Sequence, residues 1–346
     1  MEIQPLGQRE LDALTHLARR PDVVRFGDHL EVDPPSVFGA WLGEADANRQ
    51  LSLGAYEGGA LVAAARLSTT SRRRRTHVGI VELLAPWTGG DAAVDALLAA
   101  LVDAADRWLA LSRLELRAPA EHPQIRSVYE GHGFAVETTM RGSVMRDGAF
   151  ADEASLARLR PGLVAPAPIA GRPEPRAKQP PPSDLTFRAI DPAKDAAVWT
   201  ETLSSESVIW GTLQLPHQHP EAWERRLASN DPQHIVSLAA ETGGVIAAGG
   251  VLVIPPVLRR RHTATLGMHV GPEHQGQGIG GRLMRELLAI GDRLGLARIE
   301  LEVFGDNPRA LRVYEAAGFA HEGWRRLSCF RDGALVDDLM MARWRE

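Results

Sequence analysis

The chain has 346 residues, 44% of them apolar, with a formal net charge of −5 and an isoelectric point near 6.2. That length exceeds what one hydrophobic core usually supports, so two domains are expected, and the weak negative charge gives no overall attraction to nucleic acid or an acidic membrane. Cys329 is the single cysteine and excludes an internal disulfide. The opening MEIQPLGQRELDAL has neither the charged start nor the apolar centre of a signal peptide, and no apolar run reaches the roughly 20 residues that span a bilayer. A cytoplasmic location and a small-molecule or protein substrate are the expectation.

In chain order, the first organised stretch is RRRRTHVGIVELLAP, a hairpin ending at Pro86, followed by a helix, strand and helix ending in VYEGHGF at Phe134. Residues 161–184 are rich in proline, which fixes φ and removes amide donors, and read as a semi-rigid linker between a domain at 1–160 and another at 185–346. Beyond it, Leu185–Ala189 reads as a strand and Asp191–Leu203 and Glu221–Ala228 as helices. Strands follow at Ile235–Ala240, Val245–Ile254 and Thr263–Val270, broken by Gly243–Gly244 and Pro255–Pro256. Ile279, Leu283, Met284, Leu287, Leu288 and Leu294 recur at helical spacing and predict an amphipathic helix over 279–294. Arg298–Phe304 reads as a strand, Pro308–Ala317 as a helix, and Trp324–Trp344 as a hairpin turning at Asp332–Gly333.

The two halves repeat one another. Pro86 and Pro272 close similar hairpins 186 positions apart (272 − 86), and Phe134 and Phe319 close similar RVYEAAGF-like helices 185 apart (319 − 134). A duplicated domain explains two offsets that agree within one residue. The fold class is α/β of the α+β type, with two tandem units, each a mixed, mostly antiparallel sheet flanked by helices.

The chemistry-bearing motif is Gln275-Gly276-Gln277-Gly278-Ile279-Gly280-Gly281, between the strand ending at Val270 and the next helix. Its glycines let a polyanion approach the backbone, and the first amides of a helix lack intrahelical acceptors, which makes an anion cradle. It lacks the P-loop lysine and opens no dinucleotide-binding unit.

HQGQGIGGRLM resembles the pyrophosphate-binding loop of the GNAT superfamily of N-acetyltransferases, and Asp306-Asn307-Pro308-Arg309-Ala310 with Tyr314, Gly318 and Phe319 resembles that family's second cofactor motif. The resemblance covers about 160 residues, in the family's order. It implies acetyl-CoA or another acyl-CoA as co-substrate, with no metal. The acyl-CoA would lie in a splayed gap between the strands ending at Val270 and Phe304, its pyrophosphate on Gln275–Gly281, its pantetheine arm along Met268, His269 and Val270, and Asn307 holding the arm. Tyr314 would protonate the departing sulfur. Many relatives carry an acid where Thr265 stands, so the base is open among Glu300, Glu302, His217, His219 and Glu206, with a water chain as another route. The segment Trp210–Pro220 and the strand Arg298–Phe304 are similar to bacterial L-amino-acid N-acetyltransferases, implying an amino acid or peptide amine as acceptor.

The first half departs from the pattern, having Pro86-Trp87-Thr88-Gly89-Gly90-Asp91 in place of the cradle and Glu121-His122-Pro123-Gln124 in place of Asp306–Arg309, while Tyr129 is kept. An acid where a pyrophosphate would sit predicts a silent copy, a scaffold or an acceptor module. The expected assembly is a pseudo-dimer within one chain, or a homodimer. Arg72–Arg75 and Arg259–Arg261 read as solvated charged turns, with an acidic partner as the alternative, and nucleic acid and membrane partners are not expected. The competing reading of the whole chain is a non-catalytic acyl-CoA sensor or protein-interaction module.

Overall fold

The computed structural model describes residues 1–43, 49–70, 72–87, 92–163 and 179–345. Asp91 and most of the proline-rich segment lie outside the described residues. The chain divides into two compact units, Met1–Pro166 with Trp324–Phe330, and Ala167–Gly323 with Arg331–Glu346.

The same series of elements occurs twice along the chain. The first pass comprises β1 (Glu2–Pro5), α1 (Leu11–Ala18), α2 (Pro21–Val24), α3 (Pro35–Leu42), β2 (Gln50–Glu57), β3 (Ala60–Thr69), β4 (Val78–Leu84), α4 (Ala92–Arg107), β5 (Arg113–Pro119), α5 (Pro123–Gly131), β6 (Ala135–Arg146) and β7 (Ala149–Leu159). The second comprises β8 (Thr186–Ala189), α6 (Pro192–Ser204), α7 (Glu206–Gly211), α8 (Pro220–Ala228), β9 (Ile235–Thr242), β10 (Val245–Val253), β11 (Thr263–Val270), α9 (Ile279–Arg293), β12 (Arg298–Phe304), α10 (Pro308–Ala316), β13 (Ala320–Arg331) and β14 (Ala334–Trp344). Strand order is β1-β2-β3-β4-β5-β7-β6 in the first unit and β14-β12-β11-β10-β9-β8 in the second. Each sheet is antiparallel except for one parallel pair, β4–β5 and β11–β12 respectively.

Several boundaries move from the sequence expectation for local reasons. The first helix of the second unit starts at Pro192 because the Asp191 carboxylate accepts from the amides of Ala193 and Lys194, at 3.2 and 3.4 Å, and so caps it. Ser205 is extended, which separates the short α7 from α6, a helix too brief to leave a periodic signal. In α9 the five apolar positions from Ile279 to Leu288 are buried, whereas Leu294 follows the helix and is exposed. The final hairpin begins at Ala320 rather than Trp324, and it turns at Asp332–Gly333, where both residues have positive φ, the conformation of a tight hairpin turn.

A core of Ala264, Leu266, Ile299, Leu301 and Val303 beneath Ile279, Leu283 and Leu287 fixes α9 on one face of β11 and β12. The other face receives α6 and α8 through Trp199, Leu203, Trp223 and Leu227. At the foot of the parallel pair lies Arg298, whose side chain is fully buried and donates to Glu300 at 2.9 Å and to Glu322 at 2.6 Å. The first unit has the same arrangement 185 positions earlier: buried Arg113 binds Glu115 at 2.6 Å and Glu137 at 2.5 Å, and Arg75 adds a 2.7 Å pair to Glu115.

Replacing Arg298 by Met should remove the buried guanidinium that Glu300 and Glu322 share and cost about 3–5 kcal/mol in urea denaturation. In the first unit, burial alone would raise the Glu115 carboxyl, but Arg75, Arg325 and Arg113 outweigh it and hold it down to about 2, against an ordinary value of 4.5. A folded value below the unfolded one means that its stabilisation is complete above about pH 4.5 and is lost as the pH falls toward 2. Glu115→Gln should therefore lower stability at pH 7 and flatten its decline between pH 4.5 and 2, as followed by thermal unfolding.

Candidate active site

The parallel pairing of β11 with β12 covers only Thr263↔Arg298, Ala264↔Ile299 and Thr265↔Glu300. Both strands continue, to Val270 and Phe304, without a further rung between them. Met268, His269 and Val270 therefore keep their pairing to β10 on one side and leave an open edge on the other. The cleft expected from the resemblance opens at this point.

The glycine loop lies at the end of β11. Gly276 (φ +90°) and Gly278 (φ +66°) adopt left-handed backbone that a side chain would strain. Gly278 is the N-cap of α9 and no side chain caps the helix there, so the amides of Ile279, Gly280 and Gly281 precede the first intrahelical bond, which runs from the Arg282 amide to the Gly278 carbonyl at 3.3 Å. The Ile279 side chain points into the core, so this residue offers a ligand its backbone only. Gly280 sits where a Cβ would meet Val270 and Met268 at 3.3 and 3.5 Å, letting the helix start press on the strand. The Gln275 amide donates to the Val270 carbonyl at 3.2 Å and to the Ser207 hydroxyl of α7 at 3.1 Å, and Gln277 donates to the Glu273 carbonyl at 3.2 Å. These two side chains brace the loop from within and leave ligand contact to its backbone.

The other predicted residues separate into distinct places. Tyr314 on α10 packs against the α9-side core, its ring 6.1 Å from that of Phe319, and burial pushes its hydroxyl up to about 12, so it stays protonated at neutral pH. The Asn307 side-chain oxygen accepts from the Ala310 amide at 3.3 Å, capping α10. Glu300 is held by Arg298, and its counterpart Glu115 is held in the same way by Arg113, which makes it part of a structural lock. Glu302 is half-buried on the sheet face opposite Leu301 and Val303, toward the open end of the cleft. His217 is exposed and lines a cavity of about 420 Å³ with Glu201, Ser204 and Gln218, on the side of α6 away from the inward-facing Trp199 and Leu203. His219 caps α8, accepting from the Glu221 amide at 3.3 Å, and Glu206 is exposed at the start of α7. His217 thus belongs to the lining of that cavity, and Glu300 is committed to Arg298.

Three features escaped the sequence reading. His269 contributes a side chain as well as backbone: its ring meets Trp199 edge-on at 4.6 Å, and burial pushes the imidazole down to about 4. Gly249 makes room for both rings, since a Cβ there would fall 2.2 Å from Trp199. Arg331 lies 4.2 Å from the Trp210 ring centroid and 4.5 Å from that of Phe304 while pairing with Asp306, tying α7 to the turn before α10. Arg146 repeats this 185 positions earlier, binding Glu121 and the Arg25 carbonyl, so the internal repeat carried a signal for it.

In the first unit β4 and β5 also share only three parallel rungs. There Trp87 packs edge-on against Tyr129 at 5.5 Å, and Tyr129 is almost wholly buried. Tyr129 is the counterpart of Tyr314, and Trp87 precedes the residues that stand in place of the glycine loop, which lie outside the described residues. Asp91, invoked for charge repulsion, lies among them.

The profile of the Acetyltransferase (GNAT) family matches residues 199–319. The L-amino acid N-acetyltransferase AaaT of Escherichia coli K12 is 36% identical over 162 residues, covering 46% of this chain and 98% of that protein. The chain belongs to the GNAT acetyltransferase family. A second relative, the N-alpha-acetyltransferase RimI of Mycobacterium tuberculosis, is 38% identical over 111 residues, 31% of this chain and 64% of its own length. A solved GNAT acetyltransferase from Streptococcus pneumoniae aligns at 24% identity over 47% of this chain and 99% of its own, with a TM-score of 0.42. Among the described residues of this GNAT protein, no group of three or more His, Cys, Asp or Glu is placed to hold a metal, and no helix is long and apolar enough to cross a membrane.

Calorimetric titration with coenzyme A is expected to give one site per chain. Gly278→Glu, which puts a charged side chain on left-handed backbone at the helix start, should remove that site, while Tyr129→Phe should leave it intact.

Proposed function

We propose that the second unit is an acyl-CoA-dependent N-acyltransferase that acylates the primary amine of an amino acid, a peptide or a related small molecule. The observation that carries this reading is the uncapped start of α9 behind left-handed Gly276 and Gly278, at the mouth of a cleft where β11 keeps an open edge. That cradle fits a pyrophosphate through backbone donors and the helix dipole. The open edge fits an extended amide-bearing arm, which can add to β11 as a strand would. When bound, acyl-CoA supplies the thioester carbonyl that the amine attacks.

The residues of the chain then have separable tasks. The loop amides from Gly276 to Gly281 hold the phosphates, and the edge of Met268–Val270 orients the arm. Tyr314, protonated at neutral pH, donates a proton to the leaving sulfur. Glu302 is the acid best placed among the candidates to take the proton of the amine, directly or through water, because Glu300 is tied to Arg298. The relative named as an L-amino acid N-acetyltransferase, matched over nearly its whole length, supports a small α-amine acceptor. The first unit serves stability or acceptor recognition and carries no chemistry of its own.

Thiol release from acetyl-CoA with a panel of L-amino acids and short peptides tests the reading directly, and absence of release with every amine would overturn it. Tyr314→Phe should lower kcat by about 10²-fold or more with little change in acetyl-CoA affinity. Glu302→Gln should lower kcat with unchanged stability, and Glu300→Gln should mainly lower the unfolding midpoint. The reverse assignment of those two effects would exclude Glu302 as the base.

A further inference from the structure

The end of the proline-rich segment lies against the glycine loop. The Gln179 amide donates to the Gly276 carbonyl at 2.9 Å, and the ring of Pro181 lies 3.8 Å from where a Cβ on Gly278 would be. Both contacts fall on the two loop residues with left-handed backbone. Residues 180–182 are all proline, so the Gln179 N–H is the sole backbone donor between positions 179 and 182. The far end of this run is anchored separately: the Asp184 carboxylate accepts from the Gly243 amide at 2.8 Å and from the Thr242 hydroxyl at 2.5 Å, at the β9–β10 turn, and Leu185 enters the core.

We propose that Gln179–Pro182 is a positioning strap for the cofactor loop, so that acyl-CoA affinity depends on a segment that precedes the first strand of the second unit; this rests on the reading of Gln275–Gly281 as the pyrophosphate site. A loop with glycines at 271, 276 and 278 loses more conformational freedom on ordering than any other composition would. A stiff triproline, fixed at one end by Asp184, holds its single donor against Gly276 with little entropy of its own to lose. The Gly276 carbonyl is thereby satisfied by protein, and the loop amides remain directed to the ligand. Preorganisation of this kind raises affinity by lowering the cost of ordering on binding, without adding a contact to the ligand.

The test uses the full chain. Gln179→Pro removes the donor and Gln179→Ala keeps it while deleting the side chain. Calorimetry with coenzyme A should show Kd raised about 5–10-fold by Gln179→Pro, the loss of roughly one hydrogen bond, and unchanged by Gln179→Ala. In turnover, KM for acetyl-CoA should rise by the same factor while kcat, KM for the amine and the unfolding midpoint hold. Amide hydrogen exchange at Gly276–Gly281, read with no ligand present, should quicken in Gln179→Pro and in the triple variant P180G/P181G/P182G. Wild-type affinity and wild-type exchange in Gln179→Pro, or equal weakening by Gln179→Ala, would overturn the strap. A wild-type chain that binds no coenzyme A would overturn the reading of the loop, and the strap with it.

Discussion

The second unit depends on how few rungs join β11 to β12. Parallel pairing stops at Thr265↔Glu300, and beyond it each strand is held by its other edge alone: β11 by β10 from Thr265 to Val270, β12 by β14 from Arg298 to Phe304. Arg298 bolts the closed end. Its guanidinium joins Glu300 on its own strand to Glu322 at the start of β13, and a buried pair of this kind defines geometry more than it adds net stability. Every element of the candidate site, from the open edge of Met268–Val270 to the glycine loop, sits at the end that this bolt leaves open.

The duplication separates scaffold from chemistry more sharply than a single domain could. Arg113, Glu115 and Glu137 stand 185 positions before Arg298, Glu300 and Glu322, and Arg146 with Glu121 stands 185 before Arg331 with Asp306. A residue pair kept in a unit whose sequence lacks the glycine run is there for the fold. By that criterion Glu300 belongs to the frame. The sequences differ most plainly at Gln275–Gly281, where the first unit has no matching glycine run.

Much of this was legible in the sequence because it is written in local patterns. The apolar spacing of Ile279–Leu288 predicted α9, the Asp332–Gly333 pair predicted the last turn, and the glycine run predicted an uncapped helix start. What was not legible depends on pairs distant in the chain. Glu300 looked like a base because nothing next to it announces that Arg298 turns back upon it together with Glu322, 22 residues on. His217 was a candidate from the segment preceding the second helix, yet it lines a cavity on the side of α6 away from Trp199 and Leu203. The short α7 has no periodicity to read, and Trp87 is an ordinary tryptophan until Tyr129 is placed beside it. The offset of 185 was the one long-range signal available, and it reaches Arg331 as readily as Phe319.

Two strands that fan from a fixed rung make a wedge, not a slot. At Thr265 the strands are still paired, and no rung joins them from there to Val270 and Phe304. Girth and depth are therefore linked for anything that enters: a slender chain can slide toward the apex and find backbone groups to pair with along the way, while a bulky or branched one halts nearer the rim. A wedge of this kind grades its occupants by thickness along their own length, so a thin stem and a broad head come to rest in one orientation even before a charged group finds the loop.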